Sequence, residues 1–249
     1  MLNDKDFIRY SRQLLLEDIG PEGQLRLADA TVLLVGLGGL GAPCALYLAA
    51  AGVGRLLLAD HDTLHLSNLQ RQVLYRTKDI AQPKAILARR QLQALNPDIA
   101  IEALHMRLEG EALTKAVSRV DLVLDCSDNM ATRHAVNAAC VRAEKPLVSA
   151  SAVGFGGQLL VLTPPYLHGC YACLYPDANE PVRNCRTAGV LGPVVGVMGT
   201  LQALEAIKLL CGLTSTLDGK LKLFDARQQQ WNTLQLSPAA SCPVCGCAV

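Results

Sequence analysis

Four apolar residues, Val32-Leu33-Leu34-Val35, run directly into Gly36-Leu37-Gly38-Gly39-Leu40-Gly41, and a small-residue helical segment follows to about Ala51. A strand that ends in a glycine turn and opens a helix begins a βα unit. In such a unit Gly36 permits the tight turn, Gly38 a close approach of backbone to phosphate, and Gly41 close helix–strand packing. The amides at the start of that helix would face an anion. Further apolar runs stand at Leu56-Leu57-Leu58-Ala59, Ile99-Ala100-Ile101, Leu122-Val123-Leu124 and Leu147-Val148, with helical patterns at 83–95 and 130–144. Runs without polar alternation, joined by helices, require a parallel sheet covered on both faces.

Past Ala150 the pattern changes. Runs at 157–162, 220–224 and 231–236 lie close to turn residues and fit antiparallel pairing. One buried-looking helix at 194–210 interrupts them, and its Gly196 and Gly199 would allow close backbone approach. An amphipathic opening with Phe7, Ile8, Leu14, Leu15 and Leu16 precedes the first strand. No Gly/Ser linker, charge run or repeat divides the chain, so the expectation is one α/β domain over 1–249. It comprises a helical segment at 1–30, a nucleotide-binding half at 31–150 and a second half at 151–249. Its sheet is expected to be Rossmann-like and doubly wound, parallel in the first half and antiparallel in the second.

Composition narrows the function. With 23 Lys and Arg against 22 Asp and Glu the net charge is +1, which argues against broad nucleic-acid binding, since that needs many phosphate-neutralising cations. The first twenty residues are too charged for a signal-peptide core. The most apolar stretch, 193–211, carries Gln202, Glu205 and Lys208, so no membrane partner is expected. Ten cysteines without a secretion signal point to metal, catalysis or burial in a reducing compartment, and the expected location is cytoplasmic.

Asp60 follows the second apolar run, nineteen residues past Gly41, where an acid ordinarily holds a ribose hydroxyl. The glycine turn alone does not say which nucleotide binds. Downstream lie Asp62, then Ser67-Asn68-Leu69-Gln70-Arg71-Gln72, then Pro83-Lys84. A triphosphate undergoing displacement needs cations such as Arg71 and Lys84 to hold the leaving pyrophosphate. The fourth run ends in Asp125-Cys126-Ser127-Asp128-Asn129. There Asp128 fits two roles equally: holding Mg²⁺ against phosphates, or capping the helix that follows.

Cys170-Tyr171-Ala172-Cys173 and Cys242-Pro243-Val244-Cys245 are two C-x-x-C knuckles with 68 residues between them. Four thiolates suit one tetrahedral structural Zn²⁺, which would tie the chain's tail to a mid-chain loop; redox chemistry at a single knuckle is the alternative. Cys185 sits in the polar stretch Arg183-Asn184-Cys185-Arg186-Thr187, where arginines would favour its nucleophilic thiolate, though local chemistry alone leaves that even. Cys44, Cys126, Cys140 and Cys211 lie in apolar patterns and read as core, and Cys247 has no assigned role.

Taken together, Arg9-Tyr10-Ser11-Arg12-Gln13, the glycine turn, 67–72, Pro83-Lys84, 125–129 and both knuckles resemble the ThiF/MoeB/HesA family. These are the sulfur-carrier adenylyltransferases related to ubiquitin-activating enzymes. The run from Ser149 to Gln158 and the run from Asn184 to Gly189 are most similar to the ThiF branch of the thiamine pathway. The resemblance implies that the Gly-Gly carboxylate of a ubiquitin-like carrier, ThiS, attacks the α-phosphate of ATP and releases pyrophosphate. It implies that Gly38, Gly39 and Gly41 lie at the nucleotide, that Asp60 holds the ribose, and that Asp62, Ser67, Asn68, Gln70, Arg71, Lys84 and Asn129 serve ATP. It makes Asp128 the acid that organises Mg²⁺ and turns the even choice there toward function. Arg12 matches an arginine that reaches the partner subunit's phosphates, implying a homodimer. Cys185 matches a cysteine that bonds to the carrier during sulfur transfer from a donor protein, and the second half of the chain becomes the carrier-binding and zinc half. A MoeB-like enzyme acting on the molybdopterin-synthase carrier MoaD is the sister alternative. An NAD(P)-dependent oxidoreductase and a zinc-bearing scaffold are the remaining rivals.

Overall fold

The continuous apolar runs become strands buried on both faces, except that the run at 99–101 becomes an edge strand that is only half-buried. In the computed structural model, which describes residues 2–177, 179 and 187–246, the elements run α1 (Asp4–Arg9), α2 (Ser11–Leu14), α3 (Gly20–Asp29), β1 (Thr31–Val35), α4 (Gly41–Ala51) and β2 (Arg55–Ala59). Next come α5 (Lys84–Leu95), β3 (Ala100–Leu104), α6 (Gly110–Ser118), β4 (Leu122–Asp125), α7 (Met130–Arg142) and β5 (Leu147–Val153). The chain continues with β6 (Gly156–Leu162), α8 (Tyr171–Leu174), α9 (Gly192–Leu210), β7 (Lys220–Asp225) and β8 (Gln230–Gln235). Eight strands form one sheet in the order β3-β2-β1-β4-β5-β6-β7-β8. Strands β1 to β5 pair parallel and the rest antiparallel, as the change of pattern after Ala150 foreshadows.

Alternation along each strand divides the core into two layers. Val32, Leu34, Leu56, Leu58, Leu122 and Leu124 face one, while Leu33, Leu57 and Val123 face the other. Helices α4 and α9 pack together over the first layer, and α9 also covers β5 and β6. Among the described residues α9 is the one helix long and apolar enough to cross a membrane, but Val194, Val195, Met198, Gln202, Ala203 and Ala206 are buried inside the protein. Gly199 earns its place on that helix, because a Cβ there would meet the Leu40 carbonyl and lie 2.8 Å from Pro43. Gly196 does not behave as expected: a Cβ on it would meet nothing within 4 Å. Cys44, Cys126, Cys140 and Cys211 are buried, as their apolar surroundings suggest.

The amphipathic opening is helical but leaves most of its apolar residues uncovered. It breaks into short helices, and Phe7, Ile8, Leu15 and Leu16 are exposed, Ile8 at 77%. What holds the segment is polar. The Tyr10 hydroxyl accepts from Asn96 Nδ2 at 2.9 Å, and Gln13 donates to the Ala51 carbonyl at 3.0 Å.

Register then builds the site. Val35 lies opposite both Ala59 and Asp125, and Asp125 lies opposite Ser149, so β2, β1 and β4 end in one row while β5 runs on past it. The strand order reverses between β1 and β4, the position where an open α/β sheet leaves a crevice at its carboxyl edge.

Candidate active site

At that crevice a cavity of about 710 Å³ collects Gly38, Gly39, Asp60, Asp62, Asn68, Arg71, Lys84, Asp128 and Asn129. Gly41, Ser67 and Gln70 are not in its wall, and Arg12 stands apart, exposed on α2. Cys185 lies outside the described residues, as does Cys247.

The glycine loop is shaped by steric need. Gly36 has φ of +93°, the left-handed region, and a Cβ on it would lie 2.8 Å from the Cys126 carbonyl. A Cβ on Gly41 would collide with the Gly36 carbonyl, which is the close helix–strand packing read from the sequence. Side chains clamp the loop from both sides at Leu37. The Leu37 amide donates to Asp60 Oδ2 at 2.7 Å, and the Leu37 carbonyl accepts from the Tyr75 hydroxyl at 2.8 Å. Burial pushes the Tyr75 phenol well up, which keeps it a donor.

Asp60 therefore has a job in the fold besides any ligand, since its Oδ1 also accepts the Asp62 amide at 2.8 Å. Burial raises its carboxyl above the usual range, and Lys84 together with the Leu37 and Asp62 amides opposes the shift. Lys84, only 4% exposed, opens α5, donates its backbone N–H to the Asp62 carbonyl at 3.0 Å and places Nζ 3.0 Å from Asp62 Oδ2. Asn68 accepts the His65 amide at 3.1 Å, and Arg71 donates to the Ser67 carbonyl at 3.1 Å, so both lie on a turn that closes on itself.

Asn129, not Asp128, caps α7: its side chain accepts the Thr132 amide at 2.9 Å. That separates the two roles left open for Asp128, which is exposed and lines the cavity. Behind it sits a buried network that the sequence did not reveal. Arg133 donates to Ser149 Oγ at 3.1 Å, to the Ala150 carbonyl at 2.9 Å and to the Ser127 carbonyl, and lies 3.6 Å from Asp125. Burial would lower the Arg133 pKa, but Asp125 and its neighbours more than reverse this and raise it, so the cation persists. The only sequence signal was its spacing, one helical turn after Asn129. Gln72, Arg107, Gln158, Tyr171 and Tyr175 also line the cavity and were not singled out from sequence.

Four cysteines converge at the second core layer. The sulfurs of Cys170, Cys173, Cys242 and Cys245 all lie within 4.8 Å of one another, with Cys170–Cys242 at 3.7 Å and Cys173–Cys245 at 3.5 Å. A tetrahedral zinc with bonds of about 2.3 Å has sulfur–sulfur edges near 3.8 Å, so this set could hold one. Asn137 Nδ2 donates to Cys170 Sγ at 3.4 Å, an outer contact of the kind that orients a ligand.

Sheet order, glycine loop and cavity thus define a doubly wound α/β protein with a ligand site at its topological switch point. The chain belongs to the ThiF family, whose model matches residues 10–244. It is 64% identical to the sulfur carrier protein ThiS adenylyltransferase of Escherichia coli, covering 98% of this chain and 97% of that one. The molybdopterin-synthase adenylyltransferase of the same organism is 44% identical, covering 98% of each chain. Among solved structures, E. coli MccB crystallised with ATP shares the fold at a TM-score of 0.81 and 24% identity, covering 98% of this chain and 75% of that one.

Proposed function

We propose that this chain is an ATP-dependent adenylyltransferase acting on a ThiS-type sulfur carrier. The observation that carries this is the gathering of Arg71, Lys84 and Asp128 around one glycine loop, in a chain 64% identical over nearly its whole length to a ThiS adenylyltransferase. The carrier's terminal glycine carboxylate attacks the α-phosphorus of ATP; the bond to the β,γ-diphosphate breaks, and pyrophosphate leaves with the electron pair. Carrier acyl-adenylate remains. An anion must approach a polyanion, so fixed cations at the phosphates lower the barrier most.

In this reading Gly38 and Gly39 admit the phosphates, Asp60 and Asn68 take the ribose side, and Arg71 and Lys84 hold the departing charge. Asp128 would hold the Mg²⁺ that accompanies ATP, and the four cysteines one structural zinc per chain. Arg12, exposed and away from its own cavity, suits action on a partner's site in a homodimer, with Tyr10 and Gln13 fixing its turn. Cys185 is proposed to bond to the carrier after adenylation, when a sulfur-donor protein acts, and the enzyme is proposed to work in the cytoplasm as a single 1–249 unit. Adenylation of a MoaD-type carrier is the second reading, favoured by the 44% identity to the molybdopterin-synthase enzyme.

Carrier-dependent ATP–pyrophosphate exchange, with both carriers side by side, tests this. Exchange with the ThiS-type carrier alone is expected. Preference for the MoaD-type carrier would move the pathway, and no exchange with either would refute the activity.

A further inference from the structure

One polar atom in the cavity wall has nothing to bond to. Gln72 is 3% exposed and lines the cavity, yet among the described residues its Oε1 meets no hydrogen-bond donor. Buried amides ordinarily find partners, so this one marks a place completed from outside the chain. Its position is firmly set. The Gln72 amide donates to the Asn68 carbonyl at 2.9 Å, the Tyr75 amide donates to the Gln72 carbonyl at 3.2 Å, and the Tyr75 hydroxyl ties the turn to Leu37. The side chain ends beside Gly38: a Cβ built there would stand 3.4 Å from Gln72 Nε2 and within 4 Å of nothing else. The amide and the bare glycine therefore border the same space, the one through which phosphate reaches the loop backbone.

We propose that Gln72 is a nucleotide-binding residue that contacts the phosphate end of ATP at Gly38. Its nitrogen donates to a phosphate oxygen, and its oxygen accepts from water carried in with the phosphates. An amide can turn end for end without changing shape, so both ends are available to the ligand. A neutral amide also suits a wall that already holds Arg71 and Lys84: it adds direction without another buried charge. The inference rests on ATP being the ligand of this cavity.

The test compares wild type, Gln72→Met and Gln72→Glu by calorimetric titration with Mg·ATP and by thermal unfolding without nucleotide. Methionine keeps the volume and removes the unpaired amide. The expected result has opposite signs: Gln72→Met unfolds at the same temperature as wild type or higher, while its Kd for ATP weakens about tenfold, the loss of one hydrogen bond. Gln72→Glu keeps the shape, sets an anion against the phosphates and weakens ATP further. Wild-type affinity in both variants would overturn the inference and leave the proposed activity standing. A Gln72→Met protein that unfolds earlier than wild type, or does not fold, would assign the amide to the fold and also overturn it. A wild-type protein that binds no ATP would refute the activity itself.

Discussion

The two halves of the sheet are held by different means. In the parallel half, strands β1, β2 and β4 are buried on both faces, and side chains such as Asp60, Tyr75 and Arg133 satisfy loop backbone at the strand ends. In the antiparallel half every residue of the edge strand β8 is exposed, and the tail beyond it returns to the molecule through Cys242 and Cys245. The nucleotide-type site sits at the carboxyl edge of the parallel strands, and the four-cysteine cluster, with Cys170 and Cys242 buried, sits where the tail rejoins the core beyond the exposed edge strand. A metal held by these four thiolates would tie the tail to the loop after β6.

If this division holds, damage to one half should leave the other standing. The largest effect is expected at the cavity. Asp128→Asn should lower adenylation at least a hundredfold, the order lost when a group stabilising transition-state charge is removed. Bound zinc and unfolding temperature should match wild type, because Asn129 provides the cap. Next comes the cysteine cluster. Cys242→Ser should abolish zinc binding and cost several kcal/mol of stability, on the order expected for a structural zinc. Hydrogen exchange should speed up first in β7, β8 and the tail, with β1, β2 and β4 still protected; uniform loss of protection would break the comparison.

Much of this division is legible in the sequence. Apolar runs without alternation announce strands covered on both faces, and two knuckles announce a thiolate cluster. What escapes are contacts that periodicity cannot encode. Arg133 reads as one more basic residue on a helix until register brings Ser149 and Ala150 against it. Asp60 reads as a ribose ligand, and only the folded loop reveals the Leu37 amide it holds. Gly196 and Gly199 look alike in sequence, but only Gly199 meets α4. Helix α6 (Gly110–Ser118), for which the sequence reading gives no helix, buries Leu113, Ala116 and Val117 at the i, i+3, i+4 spacing of a single short face.

Smaller effects sharpen the comparison. Asn129→Ala should cost about 1 kcal/mol in denaturant melts, the usual loss of a helix N-cap. The smallest is a pH effect at Asp60. Its carboxyl is raised in the folded state, so the native protein binds that proton more tightly than the unfolded chain. This contribution to stability is present below the ordinary carboxylate value and is lost as pH rises through the raised one. Asp60→Asn should remove that slope, read as the difference between the two proteins' stability–pH curves. An unchanged difference across the window would contradict the burial account.

The most direct measurement is intact-mass spectrometry of a ThiS-type carrier after incubation with enzyme and Mg·ATP. Wild type should add one AMP to the carrier, Asp128→Asn should add none, and Cys242→Ser, at a temperature where it stays folded, should still add it. AMP transfer by Asp128→Asn at the wild-type rate, or none by the wild type, would contradict the account.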